Sequence, residues 1–296
     1  MYIVAGFKIA LVQMSVGPDK AKNVAAAVSE IHKAKEMGAK LVALPECFNS
    51  PYGTKFFEEY AEEVPSGATC RALSRAAAEA GVCVVGGSVP ERCGARLYNT
   101  CTVWDSCGKL LASHRKMHLF DIDIPNKITF RESEVLSPGD QLTMFEYLGV
   151  RIGLGICYDL RFGEMAHLLA KQGCSLLIYP GAFNMTTGPK HWELLARARA
   201  TDNQLWLALV SPARDPQAGY VAWGHSLVAD PWGALVDSVR GFLPVKRREV
   251  LLQDLVQWPY GDRMWSLWVT PVTRRRSTWP GDTHWLLTLG EAWWTR

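Results

Sequence analysis

The chain has 296 residues, of which 48% are hydrophobic, and a formal net charge of +3. That is enough apolar material for one large core and more chain than a single small domain needs. No apolar run reaches the ~18–20 residues of a spanning helix, and the eight cysteines form no CxxC pairs and have no histidines at metal-ligand spacing. A transmembrane protein, a zinc module and a disulfide scaffold are therefore excluded. Residues 1–6 are too short and too neutral for a secretory leader, and free thiols suit a reducing compartment. The expectation is a soluble protein of the cytoplasm, with mitochondria as a second compartment.

In chain order, strand and helix patterns alternate. Residues 7–13 read as a strand. A helix follows over 22–37, with Val24, Val28 and Ile31 on one face and Gly38 as its stop. Residues 41–44 return as a strand that delivers Glu46 behind Pro45. An alanine-rich helix over 68–80 ends at Gly81 and leads into a strand over 82–87. Residues 99–104 and 109–113 flank the turn 105–108 as a hairpin, and the second arm runs into the basic cluster His114-Arg115-Lys116. The apolar run 150–157 is a buried strand whose glycines admit another backbone, and Cys157 ends it just before the polar turn 158–161. A helix over 164–172, a strand over 174–179, a helix opening at Pro189 and strands over 205–210 and 225–229 complete the order. This alternation argues for a layered α/β fold.

Three residues share one topological address. Glu46, Lys116 and Cys157 each stand at a strand end, the edge where ligands bind in open α/β sheets. Together they make coherent chemistry. A thiol on a rigid element can serve as nucleophile, Glu46 as the base that takes its proton, and Lys116 as the cation favouring thiolate and oxyanion. The residues alone leave other readings open. Cys157 would serve equally as a small buried hydrophobe, and Glu46 with Lys116 as a structural ion pair. His114 and His118 read as strand-end packing residues, and Arg197 and Arg199 as a solvated or subunit-facing helix surface. Tyr158 follows the thiol, so its backbone N–H is placed to donate into an oxyanion hole beside Lys116.

The segments 44–53 (LPECFNSPYG), 114–125 (HRKMHLFDIDIP), 153–162 (GLGICYDLRF) and 179–203 resemble the nitrilase superfamily of carbon–nitrogen hydrolases, in particular its omega-amidase branch. The resemblance runs from about Phe7 to about Ser238. It implies a four-layer αββα sandwich, a catalytic triad of Glu46, Lys116 and Cys157, and a further glutamate, Glu132, that helps orient the lysine and the substrate. It also implies hydrolysis of the terminal amide of 2-oxo dicarboxylate monoamides, such as 2-oxoglutaramate and 2-oxosuccinamate, to the acid and ammonia through a cysteine thioester. No metal or organic cofactor is required for that chemistry, and a homodimer is typical. The partner is a small-molecule amide, with no nucleic acid expected. Alternatives are another amidase of the superfamily, such as one acting on deaminated glutathione, or a catalytically impaired chain that serves as a binding scaffold.

Past residue 240 the resemblance stops. Residues 1–240 form the expected hydrolase domain, without a recognisable final strand and arm. Residues 241–296 form an atypical tail that carries seven of the chain's twelve tryptophans and, with eight Lys/Arg against five Asp/Glu, all of the net positive charge. Four prolines interrupt any helix there, and 247–255 is the one stretch that reads as a strand. An alternative transcript end or a shifted reading frame explains such a bias, and a weakened dimer is its expected consequence.

Overall fold

The computed structural model describes residues 7–126, 128–238, 249–252, 275–276 and 285–286. Side-chain alternation along the first strands sets the layers. In β1 (Phe7–Leu11), Ile9 and Leu11 belong to one apolar cluster and Ala10 to another. In β2 (Leu41–Ala43) Leu41 and Ala43 oppose Val42 in the same way. A strand apolar on both faces is buried on both. One face lies under α1 (Lys20–Glu36) and α3 (Ala68–Ala80), packed with Ile31, Leu73 and Ala77. The other meets a second sheet, where the Phe7 ring touches Tyr147 edge-on at 6.0 Å.

Between these elements come α2 (Thr54–Tyr60), β3 (Cys83–Val85), β4 (Val89–Cys93), β5 (Arg96–Trp104), β6 (Leu110–Arg115) and the hairpin strands β7 (Asp121–Ile124) and β8 (Ile128–Arg131). The second half supplies β9 (Thr143–Tyr147), β10 (Val150–Leu154), α4 (Gly163–Lys171), β11 (Leu176–Pro180), α5 (Gly188–Asn203), β12 (Trp206–Val210), β13 (Leu227–Ala229), β14 (Leu235–Ser238) and β15 (Glu249–Leu252). The first sheet runs β15–β1–β2–β3–β5–β4, with β6 also on β5. The second runs β14–β13–β12–β11–β10–β9. On the outer face of the second sheet Gly153 leaves room for Leu169 of α4, and α5 buries Trp192, Ala196 and Ala200. The result is the αββα sandwich.

Several expected boundaries shift for identifiable reasons. The first helix begins at Lys20 because Asp19 caps it, accepting from the Lys22 N–H at 3.0 Å. Its buried face runs through Ala27, Ile31 and Ala34, while Val24 and Val28 sit at the margin. Strand β4 has no counterpart in the sequence pattern: it carries Pro90 and Glu91, and it lies at a sheet edge, where proline is tolerated. Within 247–255, Glu249–Leu252 does form a strand, antiparallel to β1 with Val250 opposite Ile9. Arg275–Arg276 and Trp285–Leu286 pair with each other. The expectations on Trp258, Trp265, Trp268, Trp279, Trp293 and Trp294 lie outside the described residues. Among the described residues, no helix is long and apolar enough to cross a membrane.

Candidate active site

Each of the three strand-end residues is delivered to the same place. Glu46 follows β2, Lys116 follows β6 and Cys157 follows β10, and all three are buried. Lys116 Nζ donates to Glu46 Oε1 at 3.1 Å and pairs with Glu132 Oε2 at 2.8 Å. Glu132, in the single 3-10 turn after β8, is therefore brought to the lysine. The Cys157 thiol lies close enough to the Glu46 carboxyl for each to shift the other's protonation. Backbone geometry sharpens the thiol's presentation: Cys157 has φ +49°, in the left-handed region a side chain rarely adopts. It opens a 3-10 turn, Cys157–Arg161, which also holds Tyr158. Gly181 lets the loop after β11 come close, since a Cβ there would stand 3.2 Å from the Cys157 Cα.

Each oxygen of the two glutamates has a donor. Glu46 Oε1 also accepts from Asn99 Nδ2 at 2.9 Å, and its Oε2 accepts from the Ala182 N–H at 2.7 Å. Glu132 Oε2 accepts from the Phe120 N–H and its Oε1 from the Tyr52 hydroxyl, both at 2.7 Å. Asn99 and Tyr52 escape sequence reasoning. Asn99 does carry a signal: it is a polar residue inside the otherwise packed strand β5. Nothing local marks Tyr52.

Burial governs the protonation states. It pushes the Glu46 carboxyl up, Lys116 opposes that, and the nearby charge of Glu132 adds to it. For Lys116, burial acts to lower the value, but Glu132 and Glu46 outweigh it and hold the ammonium charged well above its ordinary range. The Cys157 thiol is pushed far up by burial and then by Glu46, against Lys116, which favours its neutral form.

Behind the thiol sits a second cluster. Asp159 is fully buried, and its Oδ2 accepts from the Ile156 N–H at 2.9 Å and from His114 Nε2 at 3.2 Å. Its Oδ1 accepts from the His118 N–H at 2.9 Å and from His118 Nδ1 at 2.7 Å. Because a carboxylate only accepts, both ring nitrogens facing it carry hydrogens. Burial works to raise the Asp159 pKa, but these donors hold it well below the usual carboxylate range. His114 and His118 are thus hydrogen-bonded members of a clasp rather than packing residues alone. Arg199 is not a solvated surface residue, because its guanidinium donates to the carbonyls of Leu160 at 3.1 Å and Arg161 at 2.8 Å at the end of the short 3-10 turn. Arg197 is more exposed, with Nε on the Gly233 carbonyl at 2.7 Å.

Aromatic rings and a second cation stand near the cluster. Tyr52 lies against Tyr220 at 4.5 Å, and the Tyr158 ring against Phe120 at 5.2 Å. Arg161 is half-buried, 5.0 Å above the Phe183 ring and 3.1 Å from His191 Nδ1. Among the described residues no carboxylate pairs with it. Burial lowers its pKa, and the Tyr158 and Cys157 side chains are near enough to act in the opposite direction.

Two helix-covered sheets packed face to face, with a buried Glu–Lys–Cys cluster at their strand ends, are the architecture of the nitrilase superfamily. The chain belongs to the carbon–nitrogen hydrolase family, whose sequence profile matches residues 8–260, and it is an amidase-type enzyme. It is 58% identical over 232 residues to omega-amidase NIT2 of Xenopus tropicalis, covering 78% of this chain and 84% of that one. Among solved structures it resembles Saccharomyces cerevisiae Nit3, a member of branch 10 of the nitrilase superfamily, with a TM-score of 0.77 and 40% identity over 85% of this chain and 93% of that one. It also resembles a mutant of the amidase from Nesterenkonia sp. AN1 that shows covalent addition of the acetamide moiety of fluoroacetamide at the active-site cysteine. That match has a TM-score of 0.72 and 27% identity over 84% of this chain and 91% of that one.

Proposed function

We propose that this chain is an omega-amidase, hydrolysing the terminal amide of 2-oxo dicarboxylate monoamides such as 2-oxoglutaramate and 2-oxosuccinamate. The observation that carries the choice of substrate is Arg161, a half-buried guanidinium in the same 3-10 turn as the thiol, with no described carboxylate partner. A desolvated cation of that kind calls for an anionic ligand, and a guanidinium matches a carboxylate in geometry. The names of the relatives agree.

In this reading Cys157 Sγ attacks the amide carbon while Glu46 takes the thiol proton. The carbonyl oxygen becomes an oxyanion held by the Lys116 ammonium and the Tyr158 N–H. Glu46 returns the proton to the leaving nitrogen, the C–N bond breaks, and ammonia departs from a thioester. Water then attacks the thioester carbon, giving its proton to Glu46, and the acid leaves as the thiol is restored. Glu132 holds Lys116 in place. The test is ammonia release from 2-oxoglutaramate by the purified chain, against an amide of equal length lacking the carboxylate. Equal kcat/KM on both would remove Arg161 as the reason for the assignment.

The acid limb of the pH profile follows from Glu46. Only the ionised carboxylate accepts the thiol proton, and burial raises its pKa, so kcat/KM is expected to rise with pH through a value above the ordinary carboxylate range. A profile already flat down to that range would contradict this assignment of the base.

A homodimer belongs to the same reading. Leu168 on α4 and Leu194 on α5 remain 47% and 62% exposed on the outer helical layer, a poor arrangement for a lone subunit. Sedimentation is expected to give twice the 32.9 kDa chain mass, with the altered carboxyl end weakening the association. A monomer at high concentration would overturn it. A cytoplasmic location is part of this reading too, and cell fractionation tests it.

A further inference from the structure

The structure assigns Asn184 as the residue that distinguishes a 2-oxo acid amide from its 2-amino counterpart, an inference that rests on the amidase reading above. Asn184 stands in the loop between β11 and α5, the loop whose Ala182 N–H holds Glu46. Its Oδ1 accepts from the Thr186 N–H at 2.9 Å, the Thr187 N–H at 2.9 Å and the Thr187 hydroxyl at 3.2 Å. Three donors on one oxygen fix which way the amide is turned. Nδ2 must then point the opposite way. Asn184 is only 5% exposed, yet that Nδ2 has no hydrogen-bond partner. A buried donor left unmade is costly and calls for an explanation, such as an acceptor brought by a ligand.

The surroundings identify where that acceptor sits. The Asn184 amide faces the Tyr220 phenol, whose own hydrogen is committed to the Ala182 carbonyl at 2.6 Å. Tyr220 is in turn close enough to Cys157 and Glu46 for their charges to act on it. On the other side, Arg161 lies 5.0 Å over the ring of Phe183, the residue before Asn184. A substrate with its amide carbon at Cys157 and its carboxylate at Arg161 carries its 2-position past Asn184. A 2-oxo oxygen accepts from Nδ2. The ammonium of a 2-amino acid instead sets donors against a donor and a positive charge near the half-buried guanidinium.

The experiment measures kcat/KM of the full chain on 2-oxoglutaramate, glutaramate and L-glutamine, for the wild type, Asn184→Asp and Asn184→Ala. Aspartate keeps the oxygen that accepts from Thr186 and Thr187 and turns the free donor into an acceptor. Alanine removes both without adding charge. Because two substrates are compared on one preparation, any loss of folded enzyme cancels from the ratio. The preference for 2-oxoglutaramate over glutaramate is expected to fall by about 10–100-fold in both variants. In Asn184→Asp the preference over glutamine should fall further still. Wild-type turnover with ratios unchanged in both variants would overturn the assignment of Asn184 alone, as would a fall confined to Asn184→Asp, which would reflect charge and not a donor. No wild-type turnover of any of the three would overturn this inference together with the amidase reading.

Discussion

Cys157→Ala is expected to end ammonia release while the chain still folds, and Lys116→Met to end it and loosen the fold as well. The contrast comes from burial. Alanine in place of the thiol removes a small neutral group from the packed interior. Methionine in place of Lys116 fills similar space but leaves Glu46 and Glu132 as two fully buried carboxylates with no cation between them. Breaking such a pair from one side costs about 3–5 kcal/mol, or roughly 10 °C in Tm for a domain of this size. Catalysis suffers twice. One oxyanion donor is gone, about 10²–10³ in kcat, and the Glu46 carboxyl, already raised, loses the ammonium that keeps it ionised. Adding Glu132→Gln to Lys116→Met should restore part of the Tm and none of the activity. If Lys116→Met melted like the wild type in calorimetry, the buried charge network would not be what holds the site.

The second large effect is expected at Asp159→Asn, a change of one atom. The carboxylate takes two backbone N–H groups and two imidazole N–H groups, two on each oxygen. Asparagine has one oxygen, so its NH2 must meet either the Ile156 pair or the His118 pair donor to donor. Leaving such a buried group unsatisfied costs about 1–3 kcal/mol. Position amplifies the loss. His114 and His118 flank Lys116 on one chain segment, and Ile156 precedes Cys157 on another, so Asp159 fixes where the thiol stands relative to the ammonium. A misplacement on the order of 1 Å is worth about 10²-fold in rate. The fall should appear in kcat with KM little changed, and alkylation of Cys157 by iodoacetamide should change rate in parallel. A raised KM with unaltered kcat would place Asp159 in substrate binding instead. The depressed pKa also has a sign. Asp159 contributes its stabilisation at neutral pH, above the unfolded carboxylate value, and that contribution disappears as pH falls through the folded value.

What the sequence makes legible is what is local in it. Glu46, Lys116 and Cys157 each close an apolar strand, and a polar residue at a strand end can be read within ten residues of chain. Glu132 has no such signature and is accessible only through family resemblance. Asn99, Tyr52 and Asp159 act through partners distant in sequence: Asn99 meets Glu46 across 53 residues, Asp159 meets His114 across 45 and Tyr52 meets Glu132 across 80. No periodicity encodes that. Arg199 misleads for a related reason, because the carbonyls it satisfies belong to a turn whose geometry follows from the left-handed Cys157. The hairpin β7–β8, with charged and apolar residues alternating on a half-exposed surface, offers too little apolar contrast to be recognised from its residues.

Mass spectrometry of the intact chain mixed with 2-oxoglutaramate and quenched in acid tests the central claim most directly. An acyl adduct equal to the substrate less ammonia should appear, map to the peptide carrying Cys157, and be absent both from Cys157→Ala and from Glu46→Gln, which lacks the base that takes the thiol proton. Ammonia released at the wild-type rate by a Cys157→Ala chain with no adduct would contradict the account.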